Sequence, residues 1–376
     1  MALAGSATPV GTAAFHQRHA QAHPAHVRAL QDLRVSSIGL GTYLGDPDDQ
    51  TDAQYAEAIT AAVSLGCNLL DAAINYRCQR SERVIGRTLQ RLISDGRARR
   101  EEIVLCTKGG YVPFDGDAPA DPARYLTDTY LASGLIAYDE LVAGCHCIAP
   151  GYLEDQLRRS LANLQVETID VYYLHNPEQQ LDDVPRDVFM TRLRAAFAWL
   201  EAQAAAGRIR FYGTATWNGY RVHAGSREHL SVQALAELAQ SVGGGQHHFR
   251  AIQLPYNLAM PEACVFKNQR LGDRMVSAID AATELGLSVV ASASLLQRRL
   301  THLPPALAER LPGLSTDAQR ALQFVRSTPG LTAALTGMKR RAHVEENLAL
   351  ARVAPLSPDQ WQQLFHRTGK RGGDAE

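Results

Sequence analysis

Four polar residues that could relay a proton lie at or just after the ends of three short apolar segments. Asp71 ends the first segment and Tyr76 follows it, Lys108 ends the second segment, and His175 ends the third. The segments are rich in leucine, β-branched and aromatic residues, which is typical of buried parallel strands. In a parallel α/β barrel the carboxyl ends of the strands meet at one face, where the chemistry takes place.

These residue types suit acid–base chemistry. A buried lysine ammonium is costly unless a carboxylate compensates it, and Asp71 is the candidate partner of Lys108. A tyrosine between that lysine and His175 is a candidate acid, because a nearby cation lowers the pKa of a phenol. Taken singly, each residue is more often a packing residue, a plain ion pair or a core histidine. The chemical interpretation therefore depends on the set of Tyr76, Lys108, Asp71 and His175.

Strand-like and helix-like segments alternate along the chain. The predicted strands are residues 68–71, 103–108, 169–174, 210–215, 251–254, 287–291 and 331–335. The predicted helices are residues 52–65, 80–92, 152–164, 186–206, 230–240, 273–285, 316–326, 342–351 and 358–366. Such alternation implies parallel pairing with right-handed crossovers. We predict an α/β fold, a single TIM-type (β/α)8 barrel over residues 34–376, with 68–71 as its first strand and one boundary left open.

The composition is that of a globular protein without a polyanionic partner. The 376 residues carry a formal net charge of −1, and lysine and arginine are scattered, so we expect no nucleic-acid partner. No apolar segment is long enough to cross a bilayer. The six cysteines, without a secretory signal, favour reduced thiols and a cytoplasmic location. Residues 1–33, rich in alanine, glycine and histidine at their start, are interpreted as a flexible, solvated arm.

A long insertion separates the Lys108 strand from the next helix. Residues 112–150 stand where a short loop would suffice, and such connections are usually functional or disordered. Because the insertion leaves the barrel next to Lys108, we expect a lid over the substrate, with a peripheral packing element as the alternative. Its Cys145-His146-Cys147 motif lacks the spacing of a zinc site and has no second ligand pair, so no metal is expected.

The motifs, in their order along the chain, resemble those of the aldo-keto reductases. They lie at residues 39–43, 71–76, 81–82, 85–86, 107–108, 170–175, 253, 256–257 and 346–347. Each motif alone is weak evidence for the family, whereas the ordered set at family-like spacing is strong evidence. The set covers roughly residues 36–352. The resemblance implies hydride transfer from a nicotinamide to the carbonyl carbon of a small-molecule aldehyde or ketone.

The resemblance also implies a role for each of the four polar residues. Tyr76 would protonate the carbonyl oxygen in reduction and accept the proton back in the reverse reaction. Lys108 would lower the pKa of the Tyr76 phenol, and Asp71 would hold Lys108. His175 would orient the substrate oxygen. The sequence leaves the identity of the substrate and the oligomeric state unknown.

The cofactor residues implied by the resemblance match the family less closely. They are Gly41, Thr42, Tyr43, Asp71, Thr216, Gln253, Ser292, Leu295, Gly337, Lys339, Arg340, Glu346 and Asn347. Ala215-Thr216 replaces the usual Ser-Asn pair, and Ser292 replaces an aromatic residue that stacks on the nicotinamide. Lys339 and Arg340 follow a glycine and precede a helix, which suits a 2'-phosphate and favours NADP(H) over NAD(H).

Two other functions stay open at this point. The departures at Ala215, Thr216 and Ser292 are compatible with a regulatory barrel that binds the cofactor but turns over slowly. A lyase or isomerase could instead use Tyr76 and Lys108 without a nicotinamide. Hydride transfer to a panel of aldehydes would separate the first from a reductase, and failure to bind NADPH would indicate the second.

Overall fold

A closed barrel of eight parallel strands is the centre of this computed structural model, which describes residues 2–365. The strands are β1 (Val27–Leu30), β2 (Leu33–Ser36), β3 (Ile38–Gly41), β4 (Leu69–Asp71), β5 (Val104–Gly109), β6 (Ile169–His175), β7 (Ile209–Ala215), β8 (Phe249–Pro255), β9 (Gln269–Leu271), β10 (Arg274–Val276), β11 (Ser288–Ser292) and β12 (Leu331–Gly337). β3 to β8, β11 and β12 form the barrel, and β12 closes it against β3. The predicted (β/α)8 fold is confirmed.

Helices surround the barrel. They are α1 (Pro9–Arg18), α2 (Asp49–Ser64), α3 (Arg80–Ser94), α4 (Pro122–Leu126), α5 (Pro150–Leu164), α6 (Arg186–Ala205), α7 (Val232–Gly243), α8 (Glu262–Val265), α9 (Ala278–Glu284), α10 (Pro305–Ala308), α11 (Asp317–Ser327), α12 (Arg341–Leu348) and α13 (Pro358–Gln363). One helix among α2, α3, α5, α6, α7, α9, α11 and α12 follows each barrel strand. The predicted last helix and the predicted domain extend to residues 366 and 376, and residues 366–376 lie outside the described part of the chain.

Helix α2 shows how the sequence specifies these elements. The Asp48 side chain accepts a hydrogen bond from the Thr51 amide at 2.7 Å and so caps the helix start. Tyr55, Ile59 and Val63 recur at a spacing of four residues and are all buried, so one apolar face packs on the barrel. The helix ends just before Gly66, whose φ of 92° favours glycine.

The first barrel strand is β3, so the prediction that residues 68–71 come first is wrong. Its sequence, Ile38-Gly39-Leu40-Gly41, is half glycine and has a single β-branched residue, so it does not have the composition typical of a strand. The packing explains Gly39, because a Cβ there would lie 2.7 Å from the Leu335 side chain and 3.0 Å from that of Leu69. The Leu335 and Leu69 side chains thus occupy the space that a side chain at position 39 would need.

The prediction of a flexible arm at residues 1–33 is corrected by the structure. Helix α1 packs on the barrel with Phe15 fully buried, and the Ala7 amide donates to Asp170 Oδ1 at 2.7 Å. The β1–β2 hairpin buries Leu30 and Leu33 in the same cluster as side chains from the barrel strands. These apolar residues are too dispersed to form a periodic pattern, so the sequence did not reveal that they pack.

Two histidines of this N-terminal segment are buried and neutral. Burial lowers the pKa of His16 to about 4 and that of His26 to about 3. The ordinary value in an unfolded chain is about 6.5, so the unfolded state takes up more protons between these values. Burying these two neutral histidines therefore costs no stability above the ordinary histidine pKa of about 6.5. As the pH falls below that value, protonation of the unfolded chain lowers the free energy of unfolding.

We therefore expect acid to weaken the fold between about pH 6.5 and pH 4, by up to about 1.4 kcal/mol per pH unit and per buried histidine. His26→Gln should flatten this dependence, because glutamine does not titrate. Urea denaturation at several pH values measures it, with His302→Gln at an exposed position as the control. An unchanged slope in His26→Gln would contradict the assignment.

Candidate active site

Lys108 and Asp71 form a buried ion pair at the carboxyl ends of β5 and β4. Lys108 Nζ donates to Asp71 Oδ1 at 2.5 Å and to the Ala72 carbonyl at 2.7 Å. The second Asp71 oxygen accepts from Gln253 Nε2 at 2.9 Å. Burial lowers the pKa of Lys108, but Asp71 and the Tyr76 phenol more than offset burial, and the net pKa is raised. The site therefore keeps a permanent ammonium.

Tyr76 lies beside this ammonium, in the loop after β4. Lys108 Nζ is 4.8 Å from the centre of the Tyr76 ring. The ring meets His175 edge-on, with 5.7 Å between ring centres, and it meets Tyr43 at 4.9 Å. Burial raises the pKa of the Tyr76 phenol, and Lys108 acts in the opposite direction. The Lys108 ammonium lowers the pKa of Tyr76, as predicted, but burial raises it by more. The net pKa is therefore raised, and the prediction that Lys108 lowers it overall is wrong.

His175 ends β6 as a neutral imidazole. Burial lowers its pKa well below the ordinary value, and the positive charge of Lys108 adds to the effect. The ring lies between Tyr76 and Tyr111, whose ring centre is 5.0 Å away. Its Nδ1 atom has no partner among residues 2–365. A neutral imidazole in this position can donate one N–H hydrogen bond.

A cavity of about 530 Å³ joins these groups at the carboxyl end of the barrel. Three of the four predicted catalytic residues line it, namely Asp71, Tyr76 and His175, and Lys108 lies behind Asp71. The predicted cofactor residues that line it are Gly41, Thr42, Tyr43, Asp71, Thr216, Gln253, Ser292, Leu295 and Gly337. The barrel thus brings together residues from all eight of its strands or the loops after them.

The other predicted cofactor residues lie outside the cavity wall, around α12. Lys339 and Arg340 precede the helix, and Glu346 and Asn347 lie in it. A Cβ added to Gly45 would be 3.4 Å from Lys339 Nζ, so the lysine reaches the loop after β3. Asn347 is buried, and its Oδ1 atom has no partner in the described residues.

Several buried polar atoms around the cavity lack a partner. Among residues 2–365 they include Asn75 Oδ1, Thr216 Oγ1 and Thr336 Oγ1, in addition to His175 Nδ1. More than nine in ten buried polar groups in proteins are hydrogen-bonded, so a cluster of unpaired ones needs an explanation. A bound ligand with both donors and acceptors would supply the missing partners.

Sequence reasoning missed several residues that line the cavity. They include Asn75, Tyr111 and Asn176, which lie within three residues of Tyr76, Lys108 and His175 respectively. This proximity along the chain is the one feature of the sequence that could have indicated them. The Asn176 amide donates to the Tyr111 hydroxyl at 3.1 Å. Trp217, considered as a substitute for the missing stacking aromatic, also lines the cavity and is 43% exposed.

The insertion at 112–150 does not cover the cavity. The structure describes all of these residues, and none of them lines the cavity wall, so the lid prediction is wrong. The insertion instead forms an apolar cluster of its own, in which Tyr130, Ile136 and Cys147 pack with Tyr152 of α5. The alternative of a packing element agrees with this arrangement.

Residues 2–365 contain neither a cluster of candidate metal ligands nor a helix that could cross a membrane. No group of three or more His, Cys, Asp or Glu side chains in this range could hold a metal ion. In the insertion, His146 has both ring nitrogens in hydrogen bonds, with the His175 carbonyl and with Gln180. No helix of the described chain has the length and apolar character needed to cross a membrane.

Sequence comparisons identify relatives of this chain. A family model described as the aldo/keto reductase family matches residues 37–232, more than half of the chain. Aldo-keto reductase family 4 member C11 of Arabidopsis thaliana is 24% identical over 189 residues, which are 49% of this chain and 47% of that protein. A probable voltage-gated potassium channel subunit beta of Arabidopsis thaliana is 23% identical over 369 residues, which cover 90% of this chain and 95% of that protein.

Solved structures share the fold. An aldo/keto reductase from Klebsiella pneumoniae, solved in complex with NADP and acetate, matches with a TM-score of 0.60 at 20% identity. The match covers 90% of this chain and 94% of that chain. At this level of identity the likeness concerns the barrel architecture.

The buried ion pair generates a stability prediction. Lys108→Met leaves the Asp71 carboxylate buried without its cation, so the free energy of unfolding should fall by about 3–5 kcal/mol. Adding Asp71→Asn to Lys108→Met removes the unpaired charge and should restore much of the loss. Urea denaturation of the single and double variants measures both effects. Equal stability of the Lys108→Met variant and the parent protein would contradict a compensated buried pair.

Proposed function

Because this chain belongs to the aldo/keto reductase family, we propose that it is an NADP(H)-dependent oxidoreductase that interconverts an aldehyde or ketone and the corresponding alcohol. One observation carries the proposal. The Tyr76 ring lies between the Lys108 ammonium and the His175 imidazole, at 4.8 Å and 5.7 Å, at the wall of a cavity of about 530 Å³. A proton donor, a cation and a neutral hydrogen-bond donor therefore surround one volume where a carbonyl can bind.

The chain's own residues account for the proton. A nicotinamide held in the cavity would supply the hydride for the carbonyl carbon. Tyr76 gives its phenolic proton to the carbonyl oxygen. The phenolate that remains is stabilised by the Lys108 ammonium and regains a proton from water. His175 donates an N–H to the same oxygen and stabilises the charge that develops there. In the direction of oxidation, the phenolate accepts the proton of the alcohol.

The unpaired polar atoms fit a nicotinamide cofactor. Thr216 Oγ1 has no partner in the described chain, and beside it Gln253 is held by Asp71, so both could hold the carboxamide. Lys339 and Arg340 would bind the 2'-phosphate that distinguishes NADP(H), with Gly337 and Asn347 nearby in the chain. The Klebsiella pneumoniae structure, which contains NADP, supports this choice.

A second function is favoured by one comparison. The potassium channel subunit beta from Arabidopsis thaliana matches 90% of this chain, so a family relative is named for an association with a channel. A barrel that binds NADP(H) with little turnover would agree with Ser292 in place of a stacking aromatic. Turnover on a panel of aldehydes separates the two functions, because only the reductase consumes NADPH at a steady rate.

Tyr76→Phe should abolish turnover while leaving NADPH binding nearly unchanged. The substitution removes the proton donor but keeps the ring beside Lys108, and loss of such a donor costs about 10²–10⁴-fold in rate. Steady-state oxidation of NADPH measures turnover, and a fluorescence titration measures binding. Tyr138→Phe, at a tyrosine that is 77% exposed, is the matched control. Parent-like reduction by Tyr76→Phe would refute the assignment.

The double variant Lys339→Ala/Arg340→Ala should weaken NADPH binding far more than NADH binding. Only NADPH carries the 2'-phosphate, and each hydrogen bond to a charged group contributes about 1.5–3 kcal/mol. Titrations of both cofactors measure the difference. Arg341→Ala serves as the control, because Arg341 is already paired with Glu345 at 2.7 Å. Equal losses for NADPH and NADH would show that Lys339 and Arg340 do not recognise the phosphate.

A further inference from the structure

The insertion contacts the barrel at the two loops that carry the candidate catalytic groups. At its start it meets the loop after Tyr76, where the Gly116 amide donates to the Cys78 carbonyl at 2.9 Å. Gln79 Nε2 in the same loop donates to the Phe114 carbonyl at 3.0 Å. At its other end, the buried His146 lies against the backbone of His175. The insertion therefore joins the loop of Tyr76 to that of His175.

The hydrogen bond from His146 to His175 has a defined direction. The Arg192 guanidinium can only donate, and its Nη1 donates to Gln180 Oε1 at 2.7 Å, so the opposite end of that amide is the NH₂ group. This Gln180 NH₂ donates to His146 Nδ1 at 2.9 Å. His146 Nε2 therefore carries the proton and donates it to the His175 carbonyl, at a distance of 2.7 Å. Burial lowers the pKa of His146 to about 4, which keeps this neutral tautomer.

Two further features show that this contact is built into the fold. Gly110 has a φ of 139°, and a Cβ there would lie 2.8 Å from His146 Nε2 and 3.0 Å from the His175 carbonyl oxygen. A side chain at Gly110 would therefore separate the two histidines. The Tyr111 ring packs edge-on against both of them, at 4.9 Å from His146 and 5.0 Å from His175.

The His175 ring is oriented by the flanking Tyr76 and Tyr111 rings and by its own backbone. Its Nδ1 atom has no partner among the described residues, so no side-chain hydrogen bond at that atom orients the imidazole. The next residue, Asn176, has a φ of 44°, a left-handed conformation that costs energy outside glycine. A hydrogen bond to the peptide group between His175 and Asn176 fixes this turn and, through it, the direction of the ring.

We propose that His146 is a positioning residue for His175, and that the insertion at 112–150 sets the relation between His175 and Tyr76. This inference rests on the proposed reductase function for its catalytic consequence. A displacement of about 1 Å at a reacting group can cost on the order of 10²-fold in rate. The insertion thus contributes to catalysis through the backbone, although it does not contact the cavity.

Two substitutions of His146 separate the hydrogen bond from the packing. His146→Phe keeps a ring edge-on to Tyr111 but cannot donate to the His175 carbonyl. His146→Gln loses the ring but keeps an amide that can donate to this carbonyl and accept from Gln180. We expect His146→Phe to lower kcat by roughly 10- to 100-fold with NADPH binding unchanged, and His146→Gln to recover most of the loss. Turnover of the best aldehyde in a panel and an NADPH titration measure both.

Hydrogen exchange of the protein without cofactor gives a second readout. The Asn176 amide donates to the Ala215 carbonyl at 2.6 Å, so it reports on the turn after His175. His146→Phe should accelerate exchange in the peptide that contains Asn176, and His146→Gln should not. The control is His26→Phe, which removes another buried histidine with a hydrogen bond, to Ser37, the residue before β3 and so at the opposite end of that strand from the cavity. His26→Phe should lower the melting temperature without affecting kcat or this peptide.

The outcomes discriminate between this inference and the proposed function. If His146→Phe retains parent kcat and parent exchange at Asn176, or if Phe is tolerated and Gln is not, His146 does not act through the hydrogen bond. If His146→Phe and His26→Phe lose kcat equally, the effect is general destabilisation, and the inference is overturned. If the parent protein neither binds NADPH nor reduces any aldehyde, the proposed function fails, while accelerated exchange in His146→Phe still supports the positioning of His175.

Discussion

The ion pair between Lys108 and Asp71 is the interaction on which the site depends. An ammonium that is 1% exposed is tolerated only with a carboxylate and further hydrogen bonds. Here the Asp71 carboxylate and the Ala72 carbonyl accept from the ammonium, and Gln253 donates to the other oxygen of Asp71. Because β4 and β5 are parallel neighbours, their carboxyl ends bring the two charges together. The barrel therefore compensates a charge that no single strand could bury.

The other properties of the site follow from this charge and from burial. The ammonium opposes the burial that raises the pKa of the Tyr76 phenol, and it adds to the burial that keeps His175 neutral. Lys108 thus favours the phenolate form of Tyr76 and the neutral form of His175. A reaction that removes a proton from Tyr76 and needs a neutral donor at His175 is consistent with both effects.

The two ends of the barrel are supported by different parts of the chain. The N-terminal segment packs Ala7, Leu30 and Leu33 with interior barrel residues such as Leu69, and stabilises the end remote from the cavity. The insertion at 112–150 lies at the carboxyl end of the barrel strands, where its backbone and side chains form hydrogen bonds with the loops after β4 and β6. A long addition to a barrel can therefore contact the loops that carry the candidate site residues without forming a wall of the cavity.

The sequence by itself determined the barrel class and which polar residues end its strands, because apolar periodicity and motif order are local properties. Asp71, Tyr76, Lys108 and His175 were identified in this way, and the structure brings them together. The glycine-rich strand Ile38–Gly41, the packed segment before it and the position of the insertion were not predicted. Each of these depends on contacts between residues far apart in sequence: Gly39 against Leu335, Ala7 against Asp170, and His146 against the His175 carbonyl. Only the tertiary structure decides such contacts, because they arise from the close approach of surfaces that no local pattern encodes.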